Sequence, residues 1–196
     1  MAMLQQAFDF GEQGPEWPMH EQPVFFGLRA PAAISHQVNR VTRDLLCRLG
    51  KDAEEVAAER RHISLHTIGD YRSLPRRRLH AAHWLADSAV LNEFSITFDK
   101  VTTFRQRRDG KWPIVMNGAN TDLTAFHQTL VDRLKGDRSG ARRQFAPHMT
   151  VIYSPEPIAQ QPIAPISFRA TEFVLIRSIQ GRGEHRLLGR WPLRAQ

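Results

Sequence analysis

The sequence lacks several features that mark large classes of protein. Its 196 residues include one cysteine, Cys47, so no disulfide framework forms within the chain. No apolar run approaches the roughly 18 residues that a membrane-spanning helix needs. The first residues also lack the basic region and apolar stretch of a secretory signal. These absences predict a cytoplasmic protein that does not enter a membrane.

Acidic side chains are comparatively few. The 20 acidic residues are outnumbered by 27 basic ones, and the formal net charge is +7. Such an excess favours polyanionic partners or phosphorylated substrates. Arginine is frequent and clustered, for example at Arg60 and Arg61 and at Arg142 and Arg143. Because a guanidinium matches phosphate oxygens, each cluster is either a phosphate contact or a solvated basic face.

The apolar residues alternate between helical and strand spacing, which predicts an α/β or α+β domain over residues 23–196, and we take the α+β class. Residues 1–22 are predicted to be a flexible leader, and the proline-rich stretch 154–165 to be a loop. A helix followed by a histidine-containing strand occurs around 34–70 and again around 121–154. This repeat predicts a bilobal fold, with duplicated sheet-plus-helix lobes around a central cleft. Helices are predicted over 34–49, 75–86 and 121–135, and strands over 24–28, 61–68, 94–104, 113–116, 145–153, 166–168, 173–176 and 186–193.

Two short stretches combine residues that can do chemistry. The segments 62–65 and 148–151 share one pattern, which is histidine, any residue, a hydroxyl residue and an apolar residue. On a strand, side chains two apart point to the same face. Each stretch therefore presents its histidine and hydroxyl on one side and its apolar residues on the other. The pattern predicts that His62, Ser64, His148 and Thr150 line a shared cleft.

Other uses of the histidines are less consistent with the pattern. His127 and Thr129 fit the same spacing but fall in a predicted helix, where residues two apart point to different faces. His62 and His66 would share a strand face, which leaves a metal open, but no clear carboxylate completes a ligand set. Glycine-rich phosphate loops are absent. We therefore predict no metal and no cofactor.

With these two motifs, the chain resembles the 2H phosphoesterase superfamily. Within that superfamily it is most similar to the bacterial 2′-5′ RNA ligase branch, also called RNA 2′,3′-cyclic phosphodiesterase. The likeness runs from about Val24 to Leu193 and includes the opening and closing strands. Two departures stand out. Ser64 replaces the usual threonine, and Ile152-Tyr153-Ser154 stands where the family often has an arginine.

The resemblance implies acid–base catalysis at RNA ends without a metal. It assigns His148 as the base for hydrolysis and His62 as the acid toward the leaving oxygen. The hydroxyls of Ser64 and Thr150 would then hydrogen-bond the phosphate oxygens.

The resemblance also implies how the substrate is held. The partner is RNA with a 2′,3′-cyclic phosphate or a 2′-5′ linkage, and the protein acts as a monomer. Arg142 or Arg143 would replace the missing arginine, and Phe25 would stack on a base. Two alternatives stay open. The same site could act on a small cyclic nucleotide, a 2′,5′-oligonucleotide or an ADP-ribose derivative, or the chain could be a non-catalytic RNA-binding module.

Overall fold

A computed structural model describes residues 21–104, 110–134 and 145–195, without the side chains of 133 and 134. The residues of the predicted leader up to 20 lie outside this description, as do Arg142 and Arg143. Among the described helices, none has the length and hydropathy needed to cross a membrane. The α-helices are α1 (Ser35–Leu49), α2 (Arg76–Asp87) and α3 (Thr121–Leu134), and short 3₁₀ turns cover Ala32–Ile34 and Ala58–Arg60. The strands are β1 (Gln22–Arg29), β2 (Glu54–Glu55), β3 (His62–Tyr71), β4 (Phe94–Thr103), β5 (Trp112–Asn117), β6 (Met149–Ser154), β7 (Gln161–Ala170), β8 (Glu172–Ile179) and β9 (Glu184–Pro192).

The strands form one antiparallel sheet. Their order is β7-β4-β5-β6-β3-β1-β8-β9, and β2 pairs with β6 beside this path. The two central strands, β6 and β3, meet at a single register pair, Ile63 with Met149. The predicted α+β class with three helices is confirmed, and the structure adds that the sheet is antiparallel. The duplication into two lobes stays a prediction.

The three helices contribute their apolar residues to one hydrophobic cluster. Thr42 satisfies its own hydroxyl within α1 by donating to the Val38 carbonyl at 2.9 Å, so the buried side of that helix carries no unpaired hydroxyl. The same cluster contains side chains from one face of the sheet, which we call the core face. Phe25 lies instead in a separate small cluster with Val174 and Ile176, on the face we call the open face. The core-face cluster includes Phe26, Ile63, Met149 and Leu175 of the sheet and Val38, Leu45, Ala82, Ala86, Leu123, Phe126 and Leu130 of the helices.

The prediction of a loop over 154–165 is wrong for its last five residues. β7 begins at Gln161 and includes Pro162 and Pro165. Proline lacks the N–H that a central strand needs, but an edge strand is paired on one side only. β7 is the edge strand of the sheet and pairs with β4 alone. The prolines therefore indicated an edge strand rather than a loop.

A bulge in β3 changes which side chains share a face. Gly27 of β1 pairs with Ser64, but the next residue, Phe26, pairs with His66, so Leu65 is an extra residue on β3. Directly paired residues of antiparallel strands lie on the same face. His66 therefore shares the core face with Phe26. The expectation that His62, Ser64 and His66 would line one face is wrong for His66.

Candidate active site

The two motifs meet where β3 and β6 pair. Ile63 and Met149 are register partners, and each is 1% exposed within the core-face cluster. His62, Ser64 and Thr150 lie on the strands next to them and point to the open face because successive strand residues alternate. The predicted strand over 145–153 begins only at Met149, so His148 directly precedes β6. Continuing the antiparallel register by one residue puts His62 opposite Thr150. The same step in the other direction puts Ser64 opposite His148, so one junction gathers both predicted pairs.

Both histidine rings are held in the same way. His62 Nδ1 lies 2.6 Å from the Arg60 carbonyl oxygen. His148 Nδ1 lies 2.8 Å from the Ala146 carbonyl oxygen. A carbonyl oxygen only accepts, so each Nδ1 carries the hydrogen and donates it. In a neutral ring of this tautomer, Nε2 keeps its lone pair and is the atom that can accept a proton.

A phenylalanine packs against each of the two rings. The Phe25 and His62 centroids lie 4.9 Å apart, and the Phe104 and His148 centroids lie 4.1 Å apart. Phe25 is 7% exposed, so little of its ring surface is open to a base. Phe104 directly follows β4, and no sequence motif marks it. Only the strand order, which places the end of β4 near β6, brings it to the site.

The surroundings of His148 affect its protonation. Burial lowers the pKa of the His148 imidazole from its ordinary value of 6.5, and the hydrogen bond to Ala146 opposes this shift. Desolvation has this sign because it disfavours the charged imidazolium. At neutral pH the ring is therefore mostly neutral. Such a ring is suited to accept a proton through Nε2.

Arg61, immediately before His62, is buried rather than part of a solvated basic face. Its guanidinium donates to the Val56 carbonyl at 3.0 Å, to Asn39 Oδ1 at 2.6 Å and to Glu55 Oε1 at 2.5 Å. With 3% of the residue exposed, these bonds link α1, β2 and the start of β3. Arg61 thus anchors the chain at the point where His62 enters the sheet.

A cavity of about 230 Å³ adjoins His62 on the open face, and its lining includes Arg29, Arg60 and His185. The His185 and His62 ring centroids lie 5.0 Å apart. Sequence reasoning singled out neither Arg29 nor His185. Alternation from Phe25 along β1 could have placed Arg29 on the same face, but no local signal points to His185. Arg142 and Arg143, predicted to bind phosphate, lie outside the described residues.

A metal site would need several ligands close together. Within the ranges 21–104, 110–134 and 145–195, no three or more His, Cys, Asp or Glu side chains are grouped as metal ligands. The bulge at Leu65 puts His66 on the opposite face from His62. That the site works without a metal stays a prediction.

His127 lies in α3, as predicted, and not on an open-face strand. Its ring stacks on Phe145 with centroids 3.7 Å apart and an interplanar angle of 1°. Burial and the neighbouring His66 lower the pKa of His127, and a hydrogen bond to the Leu65 backbone opposes the shift. The stack joins α3 to the residue before Ala146, whose carbonyl holds His148. His127 therefore fastens the segment that orients His148.

Replacing His127 with alanine removes this stack. For any reaction in which His148 takes part, we expect kcat to fall about tenfold with little change in KM, because loss of a positioning contact weakens the alignment of the reacting groups. His127→Phe, which keeps an aromatic face, should recover most of the loss. His80→Ala, at an exposed position of α2, is the matched control. An unchanged kcat in His127→Ala would contradict this role.

Comparison with known proteins adds to the geometry. The model of the family described as "2′-5′ RNA ligase superfamily" matches residues 30–182. No match is found among curated proteins. Among solved structures, E. coli LigT in apo form is 26% identical, with a TM-score of 0.71, and the match covers 90% of this chain and 99% of that one.

Two further structures share the fold. E. coli LigT complexed with 3′-AMP is 24% identical, with a TM-score of 0.70 and coverage of 88% of this chain and 98% of that one. TT0787 of Thermus thermophilus is 15% identical, with a TM-score of 0.70 and coverage of 89% and 99%. Since the family model spans well over half of the sequence, the chain belongs to the 2′-5′ RNA ligase superfamily.

Proposed function

We propose that the protein is an RNA 2′,3′-cyclic phosphodiesterase. It opens 2′,3′-cyclic phosphate ends to 2′-phosphates, and with the 5′-hydroxyl of a second RNA in place of water the same site joins RNA ends through a 2′-5′ linkage. The observation that supports this most is the pair of histidines, from two motifs, at the Ile63–Met149 junction. Each donates Nδ1–H to the carbonyl two residues before it, which leaves two Nε2 atoms for proton transfer.

The two histidines take opposite roles in hydrolysis. His148 Nε2 removes a proton from water as the water oxygen bonds to phosphorus. The bond from phosphorus to the ribose 3′ oxygen breaks, and protonated His62 gives its Nε2 proton to that oxygen. The lowered pKa of His148 supports its assignment as the base, because a base must be neutral before the step. In ligation the 5′-hydroxyl of a second RNA takes the place of water: His148 removes its proton as its oxygen bonds to phosphorus, and His62 again protonates the departing ribose 3′ oxygen.

The hydroxyl residues and the phenylalanine complete the site. Ser64 is exposed and Thr150 half-buried on the open face. Their hydroxyls donate to the phosphate oxygens that gain charge in the transition state. Phe25 is nearly covered by His62 and its own cluster, so we propose that it supports the His62 ring rather than stacking on a base. Arg142 and Arg143 remain candidates for the phosphate-binding cation.

The test uses a short RNA ending in a 2′,3′-cyclic phosphate, incubated with the purified protein in EDTA. The expected product is a 2′-phosphate. Its mass exceeds that of the cyclic end by one water, and its resistance to a phosphatase specific for 3′-phosphate ends distinguishes it from the 3′ isomer. Adenosine 2′,3′-cyclic phosphate and a 2′-5′-linked dinucleotide run alongside and test the alternative substrates. If the cyclic RNA end stays intact, the proposed function is wrong.

The pH dependence of kcat/KM follows from the His148 environment. Because burial lowers the pKa of His148, activity should persist on acidification until the pH falls below 6.5, where the base becomes protonated. Phe104→Ala should expose the ring, raise its pKa and move the acidic limb to higher pH. Values of kcat/KM on the cyclic RNA substrate across pH 5 to 8 would locate the acidic limb of the pH profile. A wild-type acidic limb centred above pH 6.5 would contradict the assignment of His148 as the base.

A further inference from the structure

The cavity beside His62 has a specific arrangement of charge. Its lining includes two cationic residues, Arg29 and Arg60, and two anionic residues, Glu59 and Glu184. Gly183, in the turn between β8 and β9, also lines it. An ideal Cβ built on Gly183 would lie 3.2 Å from Arg60 Nη1, so the guanidinium lies close against the backbone of this turn. A side chain at this position would crowd Arg60.

The cations of the cavity are less neutralised than its anions. Glu184 Oε1 accepts a hydrogen bond from Arg186 Nε at 2.8 Å, and the Glu59 carboxylate interacts with the buried Arg61. Within the part of the chain that the structure describes, no ion pair involves Arg29 or Arg60.

The hydrogen-bonding capacity of the two arginines is also largely unused. Arg60 Nε is buried without a hydrogen-bond partner among the described residues. Arg29 makes one long contact, from Nη2 to the Glu59 carbonyl at 3.4 Å. The covered Nε is not itself open to the cavity, but Arg60 and Arg29 line it with few of their guanidinium N–H groups bonded, so it offers a place for an acceptor. Phosphate oxygens are the acceptors that guanidinium groups fit best.

The position of the cavity relates it to the reaction. In the proposed mechanism, His62 protonates the leaving ribose oxygen, so the terminal ribose lies on the His62 side of the phosphorus. The chain of an RNA continues from this ribose through its 5′ oxygen to the next phosphate. The lining of the cavity includes His62 and not His148, which is the arrangement expected for the ribose side, and its volume has room for a phosphate group.

We infer that this cavity binds the phosphate on the 5′ oxygen of the terminal ribose, through Arg29 and Arg60. This inference rests on the proposed function and narrows its substrate class. The preferred substrate is an RNA strand or a 5′-phosphorylated nucleotide with a 2′,3′-cyclic end. A nucleoside 2′,3′-cyclic phosphate, which lacks the second phosphate, is a poor substrate.

The test compares three substrates that differ on the 5′ oxygen. They are adenosine 2′,3′-cyclic phosphate, the same compound with a 5′-phosphate, and the dinucleotide in which that phosphate is a diester. We expect kcat/KM to be at least tenfold higher for the second and third, since a charge-assisted hydrogen bond contributes about 1.5 to 3 kcal/mol and 1.4 kcal/mol is a tenfold change. Arg29→Gln and Arg60→Gln should bring this ratio close to one. Arg43→Gln, at an exposed position of α1, removes the same charge away from the open face and should keep the ratio.

Two results would overturn the inference. One is equal kcat/KM for all three substrates with no effect of Arg29→Gln. The cyclic ends would still be opened in that case, so the proposed function would stand. The other is a gain for the dinucleotide alone, which would assign the preference to the second nucleoside and not to the phosphate.

If no cyclic end is opened, the proposed function is refuted. A binding measurement still tests the second phosphate site in that case. Calorimetric titration would compare adenosine 2′-phosphate with adenosine 2′,5′-bisphosphate. At least tenfold tighter binding of the bisphosphate, lost in Arg29→Gln and kept in Arg43→Gln, would support the second phosphate site. Equal dissociation constants would overturn it.

Discussion

Alanine at His148 or at His62 should lower kcat for opening of a cyclic RNA end by about 10² to 10⁴, the usual contribution of a positioned acid or base. In the proposed mechanism each substitution removes the Nε2 atom that transfers a proton, and it leaves the backbone carbonyl that held the ring without this donor. The double variant should be little slower than the worse single one, because the two groups act in the same step. Single-turnover rates with product analysis measure the effect.

Controls separate lost chemistry from lost folding or binding. His80→Ala, on the exposed side of α2, changes the same residue type and should keep the wild-type rate. RNA binding by His62→Ala and His148→Ala should stay within a few fold of the wild type. If either variant kept more than a tenth of the wild-type rate, two-histidine catalysis would be ruled out. A wild-type protein that binds RNA without opening it would instead be a binding module.

The second large effect is expected on stability, from Arg61→Ala. The substitution leaves the Val56 carbonyl, Asn39 Oδ1 and Glu55 without their shared donor and removes a side chain from a buried position. Breaking a buried, hydrogen-bonded charge typically costs about 3 to 5 kcal/mol. Because the Glu55 side chain is 45% exposed and can be hydrated, we expect a loss of about 2 to 4 kcal/mol in the free energy of unfolding. Urea unfolding followed by circular dichroism measures it.

A matched arginine tests whether burial is the cause. Arg48 on α1 also makes a side-chain hydrogen bond, to Gln161 Oε1 at 2.9 Å, but it is exposed. Arg48→Ala should change the free energy of unfolding by no more than about 0.5 kcal/mol, as surface substitutions usually do. In Arg61→Ala, kcat should also fall at temperatures where the protein is folded, since β3 is less firmly held at His62. Equal effects of the two substitutions would refute the anchoring role of Arg61.

Local patterns predicted the helices well because an amphipathic helix depends on residues close in the chain. The stripe of Val38 and Leu45 is buried as its spacing indicated. The alternation in the two histidine motifs likewise predicted that Ile63 and Met149 would face the core. The pairing of β3 with β6 was less accessible, since a strand's partner depends on the whole sheet. The shared pattern of the two motifs and the repeat of helix and histidine strand supplied the expectation of a common cleft, but not the strand pairing that brings the motifs together.

Sequence patterns were sufficient to predict the helices, the alternation of each motif and the family, because these depend on neighbouring residues and on the motifs themselves. Three features of the site depend instead on contacts between distant parts of the chain. The bulge at Leu65, which sends His66 to the core face, is defined only by the register with β1. Phe104 and His185 reach the histidines only because the sheet order brings distant strands together. Arg60 and Arg61 are adjacent and cannot be distinguished by sequence pattern. Arg61 is a buried anchor with three hydrogen-bonded partners, whereas Arg60 lines a cavity, because burial depends on what packs around each residue.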